Sequence, residues 1–152
     1  MRSSKSDLIR IDGTVFAECS IMINFEGSPK NENMPVILIA DANPRILSFL
    51  ANEFGDAGFV VKKAGNADAF MIKVNEPPAA CLLVLDPHLP FGGGKKVMEK
   101  ITFLEMKIPV VIYSPYDEYA DHPDYRSADA FVEKTANPVF LIEIDKKILG
   151  VK

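Results

Sequence analysis

Four short apolar runs constrain the fold of this chain more than any other feature. Val36-Ile37-Leu38-Ile39-Ala40 ends in Asp41, and Cys81-Leu82-Leu83-Val84-Leu85 ends in Asp86. Pro109-Val110-Val111-Ile112-Tyr113 ends in Ser114, and Ala130-Phe131-Val132-Glu133 ends in Lys134. The first three have no polar alternation and all are too short for buried helices, so they read as strands covered on both faces. Open parallel sheets bind their ligands at the carboxyl ends of the strands. Asp41, Asp86, Ser114 and Lys134 are therefore expected to meet at one edge, with Asp86 as the reacting group and the rest as its support.

The segments between these runs have helical spacing. Asn43-Pro44 supplies a cap and a proline at the first helical position, and Ile46, Leu47, Leu50 and Phe54 follow on one face. Phe59 to Ala64 reads as another strand, and its Lys62-Lys63 pair marks an exposed sheet edge. Ala67 to Val74 is a short helix stopped by Pro77-Pro78. Leu89 to Gly94 reads as a flexible loop that opens a helix carrying Val97, Ile101 and Leu104. The stretch from Pro115 to Ser127 contains Pro123, which predicts a short or broken helix. Pro138 starts a last helix with Phe140, Leu141, Ile144 and Ile148. Five strand-helix units predict an α/β fold, a doubly wound five-stranded parallel sheet with helices on both faces.

Residues 1–34 stand apart as an N-terminal extension and linker, and residues 35–152 form the domain. Asp12-Gly13 between Leu8–Ile11 and Thr14–Ala17 is a β-hairpin signal. A lone hairpin is marginal in water, so this one docks on the domain, pairs with another chain or stays mobile. A fourth reading makes Met34 the biological start.

Composition removes several function classes. The net charge of −4 lacks the basic face that direct DNA binding needs. No apolar run reaches the roughly 20 residues of a membrane span. Arg10, Asp12 and Glu18 interrupt the apolar stretch a secretion signal would require. Cys19 and Cys81 are too few for a disulfide scaffold and read as reduced thiols of a cytoplasmic protein. Two histidines and two distant cysteines lack zinc-ligand spacing. Gly92-Gly93-Gly94-Lys95-Lys96 fails the P-loop pattern, because Leu89 and Lys96 occupy key positions.

Two carboxylates brought close together repel unless a cation intervenes. Magnesium accepts one or two carboxylates and keeps several waters. A carboxylate beside such an ion can act as a nucleophile toward phosphorus. An ammonium and a hydroxyl would then neutralise the transferring phosphoryl oxygens, roles that Lys134 and Ser114 fit. Taken singly, each residue has a plainer reading: Asp41 as a helix cap, Ser114 as a turn hydroxyl, Lys134 as a solvated lysine. Phe131 alone reads as core, and His88 alone as a loop histidine; His122 has no evident partner.

From Pro35 to Leu149 the chain resembles the receiver domains of bacterial two-component response regulators. The resemblance rests on Ile37 to Asp41 with Asn43-Pro44, on Leu83 to Asp86 with Leu89-Pro90, on Pro109 to Ser114 and on Ala128 to Lys134. It implies a flavodoxin-like sheet of order 2-1-3-4-5 and a phosphoprotein of a phosphorelay rather than an enzyme; with Lys152 following soon after the last helix, the chain is expected to be a stand-alone receiver or an excised piece of a longer protein. It implies Asp86 as the phosphoryl acceptor, Lys134 as the phosphate-contacting lysine, and Ser114 and Phe131 as the switch pair. It implies Mg²⁺ near Asp41 and Asp86, and His88, two residues past Asp86, could lend that metal its backbone carbonyl or tune hydrolysis of an acyl phosphate. The implied partners are a histidine kinase or phosphotransfer protein, a downstream protein and, as a further mode, a homodimer. Departures are also present. Ala42 stands where the family carries a metal-binding acid, so Mg²⁺ is expected to be weakened. Pro115 follows the hydroxyl, Thr135 follows the lysine, and Pro123 breaks the next helix. These departures open an alternative, a phosphorylation-independent pseudo-receiver that serves as a protein-interaction module.

Overall fold

The computed structural model describes residues 34–151. The expected hairpin and most of the linker lie outside the described residues. The elements run β1 (Val36–Ala40), α1 (Pro44–Asp56), β2 (Val60–Ala64), α2 (Ala67–Asn75), β3 (Leu82–Leu85), α3 (Gly93–Phe103), β4 (Val110–Ser114), β5 (Ala130–Glu133) and α4 (Val139–Leu149). All strands are parallel, in the order β2-β1-β3-β4-β5, as expected. β1, β3 and β4 are buried along their whole length, which accounts for their unbroken apolar sequences. β2 is an edge strand, and Val60 and Lys63 are exposed there.

Two apolar layers sandwich the sheet. One holds Ile37, Ile39, Val84 and Val111 against Leu50 and Phe54 of α1 and Leu141 and Ile144 of α4. The other holds Leu38, Leu83, Leu85 and Ile112 against Phe70 of α2 and Val97 and Ile101 of α3. Alternate residues along each strand serve opposite layers, as the pleat requires. α1 starts as the sequence predicts: Asn43 accepts a hydrogen bond from the Arg45 amide at 2.9 Å, and Pro44 fills the first turn.

Three local expectations are corrected or sharpened. Gly93 and Gly94 are not part of a loose loop; they are buried in the first turn of α3. The short or broken helix expected after β4 takes the form of two 3-10 segments, Asp117–Asp121 and Pro123–Tyr125, separated at His122. Cys81 is disulfide-bonded, not a reduced thiol. The chain's other cysteine, Cys19, lies outside the described residues. Among the described residues no helix is long and apolar enough to cross a membrane.

Asp145 was not singled out from the sequence. It lies on α4 four residues after Leu141 and three before Ile148, within the apolar stripe, and is fully buried. Neither carboxyl oxygen has a hydrogen-bond partner. Burial raises its pKa well above 3.8. A buried polar group without partners costs on the order of 1–3 kcal/mol, so Asp145→Leu is expected to stabilise the chain by about 1–3 kcal/mol at neutral pH. The pH dependence has a defined sign. Below about 3.8 the carboxyl is protonated in both states; as pH rises from there toward the folded-state value, the unfolded chain ionises first and stability falls. Chemical denaturation of both proteins across acidic pH checks this. The advantage of the variant should grow with pH.

Candidate functional site

β1, β3 and β5 deliver three charged side chains to one edge of the sheet. The Asp41 amide donates to Ala64 O and the Asp86 amide to Ala40 O, so both aspartates continue the strand ladder. The Lys134 amide donates to Ser114 O, which fixes the lysine one step past β5. Its Nζ lies 2.5 Å from Asp41 Oδ2 and 2.9 Å from Asp86 Oδ2. The remaining carboxylate oxygens are also engaged. Asp41 Oδ1 accepts from the Asn43 amide and Asp86 Oδ1 from the His88 amide, both at 2.8 Å. Asp41 and Asp86 are buried, and the Lys134 side chain is only 13% exposed.

This geometry sets the lysine's titration. Burial pushes the Lys134 ammonium downward, but hydrogen bonds and charge from Asp41 and Asp86 outweigh burial and hold it above 10.5. The Tyr113 ring lies 5.6 Å from Nζ, a cation–π contact on the same lysine. Burial raises the Tyr113 phenol pKa, which keeps it a neutral donor toward Thr135 O.

Ser114 reaches the same edge and is fully buried. Its hydroxyl oxygen accepts from the Tyr116 amide at 3.1 Å rather than meeting Lys134 or Asp86. Phe131 is buried in the layer that holds Ile112 and Tyr125. Asp41, Asp86 and Lys134 are therefore brought together, Ser114 is adjacent and turned into its own loop, and Phe131 is packed below.

The His88 ring is engaged within the Asp86 loop and the segment after β4. Its Nε2 is 2.9 Å from the Tyr119 hydroxyl and its Nδ1 is 3.5 Å from Asp86 Oδ1. The ring packs edge-on against Tyr116 and Tyr119. His122, without a partner in the sequence reading, packs against Tyr119 and Tyr125 and accepts from the Asp124 amide through Nδ1. Tyr125 donates to Pro87 O at 3.4 Å, and its pKa is pushed up to about 12 by burial first and then by Tyr119, Asp124 and Asp86. These rings tie the 3-10 segments to the Asp86 loop. The broken helix hid them, because side chains in irregular segments follow no period that a sequence displays.

Asp41 and Asp86 are the two carboxylates at this edge that could hold Mg²⁺. Among the described residues no three His, Cys, Asp or Glu side chains group to hold a metal. All four oxygens of Asp41 and Asp86 already accept hydrogen bonds, and the Lys134 ammonium sits where a bridging cation would. Ala42 offers no oxygen beyond its backbone.

No family model and no curated protein matches the chain. Solved structures do. The response regulator TrrA of Thermotoga maritima, crystallised in complex with Mg(2+)-BeF, is 27% identical, with a TM-score of 0.71 over 76% of this chain and 100% of that one. A CheY-like receiver domain protein of Methanospirillum hungatei is 26% identical, with a TM-score of 0.69 over 77% and 94% of the two chains. TrrA in complex with the histidine kinase ThkA, also from Thermotoga maritima, is matched at 27% identity and a TM-score of 0.68, over 76% and 99%. The structural neighbours of this chain are therefore CheY-like response regulator receiver domains, and residues 34–151 carry their fold.

Proposed function

We propose that this chain is a receiver that accepts a phosphoryl group on Asp86 and signals through protein contacts. One observation carries the reading: Lys134 is clamped between Asp41 and Asp86 at the carboxyl edge of the sheet. A buried ammonium beside the acceptor is the cation that phosphoryl oxygens need. In the proposed step an Asp86 oxygen attacks phosphorus in line, the bond to the donor's leaving nitrogen or oxygen breaks, and solvent protonates the leaving group. Lys134 shifts from Asp86 Oδ2 to the incoming phosphoryl oxygens while keeping Asp41. Ser114 turns from the Tyr116 amide to donate to the same oxygens, and Phe131 passes that movement to the second apolar layer.

A phosphohistidine on a kinase or phosphotransfer protein is the donor in this reading, and the TrrA complex with a histidine kinase supports that partner class. Magnesium belongs to the reading only as a weakly held ion, because Ala42 removes one acid and the clamp fills the gap between the others. A cytoplasmic location, a downstream protein target and self-association are further parts of it. The same clamp favours the second reading, an interaction module that works unphosphorylated with Lys134 permanently closed over Asp86.

Incubation with acetyl phosphate, with and without Mg²⁺, followed by intact mass measurement separates the two readings. The first expects a mass gain of one phosphoryl group that Asp86→Asn abolishes. A chain that stays unmodified at millimolar Mg²⁺ supports the module.

A further inference from the structure

We infer that Tyr113 is a positioning residue for Lys134: its ring keeps the ammonium at the sheet edge while Asp86 takes a phosphoryl group. The inference rests on the phosphoryl acceptance proposed above for Asp86. Tyr113 is the one aromatic in β4, after Val110, Val111 and Ile112. Strand pairing sets it opposite Val132 of β5, and Lys134 follows two residues later on the same face. An aliphatic side chain would also suit this place, as Val111 and Val132 do in the same apolar layer. The aromatic adds two contacts that an aliphatic lacks. Its ring centroid lies 5.6 Å from Lys134 Nζ, and its hydroxyl donates to Thr135 O at 3.4 Å. Tyr113 is only 3% exposed, whereas Thr135, Ala136 and Asn137 are exposed. The tyrosine thus holds the lysine, and the turn that follows it, from inside the core.

In the resting clamp, the carboxylates of Asp41 and Asp86 hold the ammonium. As an Asp86 oxygen bonds to phosphorus and the donor's bond to phosphorus breaks, Asp86 loses its full negative charge. Lys134 then turns to the phosphoryl oxygens. Asp41 and the Tyr113 ring stay in place through that handover. A ring face attracts a cation most strongly where water is excluded, and the Lys134 side chain is only 13% exposed. The hydroxyl at Thr135 O meanwhile limits how far the turn carrying the lysine can swing. The ring therefore acts on the transfer step rather than on the encounter with the donor. Its loss lowers the maximum rate and leaves the half-saturating donor concentration largely unmoved.

The full chain and its Tyr113→Leu and Tyr113→Phe variants are compared at a temperature where all three are folded, with acetyl phosphate as donor and intact mass as readout. Tyr113→Leu should lower the maximum rate about tenfold and keep the half-saturating concentration within about twofold of native. Tyr113→Phe keeps the ring and should bring the rate back to within about threefold of native. A second measurement needs no phosphoryl transfer. Acylation of the folded chain by an N-hydroxysuccinimide ester, located by peptide mass, should be slow at Lys134 and fast at the exposed Lys96. Tyr113→Leu should raise the ratio of Lys134 to Lys96 labelling about fivefold, and Tyr113→Phe should leave it near native. Equal losses in the two variants, an effect confined to the half-saturating concentration, or Lys134 labelling unmoved by leucine would each overturn the role of the ring. A native chain that acetyl phosphate leaves unmodified contradicts acceptance at Asp86 instead, and the labelling ratio still decides whether the ring holds Lys134.

Discussion

Replacing Lys134 by methionine is expected to cost about 3–5 kcal/mol of stability at neutral pH, the usual penalty for removing one partner of a buried ion pair. The reason is local. Asp41 Oδ2 and Asp86 Oδ2 share one ammonium at 2.5 and 2.9 Å, and without it two buried carboxylates face each other. Methionine keeps the length and apolar stem of lysine, so the loss reports charge rather than volume. A second change, Asp41→Asn in the methionine background, should recover part of the loss by removing one of the repelling charges; the recovery is a direct measure of coupling. Urea denaturation of the single and double variants checks both figures. The native clamp also has a defined alkaline limit. Because the folded-state pKa of Lys134 is raised, its stabilisation is complete below about 10.5 and is lost as pH rises through the folded value. The methionine variant should show no such alkaline step.

Gly94→Ala should be nearly as damaging, at about 3 kcal/mol, through overpacking that cannot relax. A Cβ at this position would lie 2.4 Å from Pro87 O, 2.8 Å from Pro87 Cα and 2.6 Å from the Tyr125 hydroxyl. Two of those three atoms are backbone, so α3 or the Asp86 loop has to move. Movement of that loop disturbs the His88 amide that holds Asp86 Oδ1, and it breaks the Tyr125 hydrogen bond to Pro87 O. The folded fraction should therefore also lose phosphoryl acceptance. Gly92→Ala is the control. It has φ of +66° but nothing within 4 Å of a new Cβ, so only the left-handed backbone is charged, roughly 1–2 kcal/mol. Thermal denaturation of the two variants should rank them in that order.

Much of the fold was legible because its strands are buried on both faces. Unbroken runs such as Leu82–Leu85 can hardly be anything else, and their terminal polar residues mark the reactive edge. The lysine clamp was legible for the same reason: strand ends in a parallel sheet share an edge, so Asp41, Asp86 and Lys134 had to come close. What stayed hidden depends on approach rather than pattern. Gly94 looked like loop material, and only the contact of α3 with Pro87 shows why it has no side chain. Tyr119, His122 and Tyr125 converge through two 3-10 segments whose spacing carries no period. The Ser114 hydroxyl could face either Asp86 or its own loop, and residue type does not choose. Asp145 was within reach, since a carboxyl in the Leu141–Ile148 stripe must be buried if the stripe is. Cys81 was misread because a count of two cysteines argues only against a disulfide scaffold and does not say whether a given thiol is bonded.

The central claim is that Asp86, set against the Lys134 ammonium, is the atom group that takes a phosphoryl from a donor. Borohydride reduction after treatment with acetyl phosphate converts an acyl-phosphorylated aspartate to homoserine, which peptide mass spectrometry locates by residue. The account predicts homoserine at position 86 and at no other aspartate. Homoserine at position 41, or none at position 86 even with saturating donor and Mg²⁺, would contradict it.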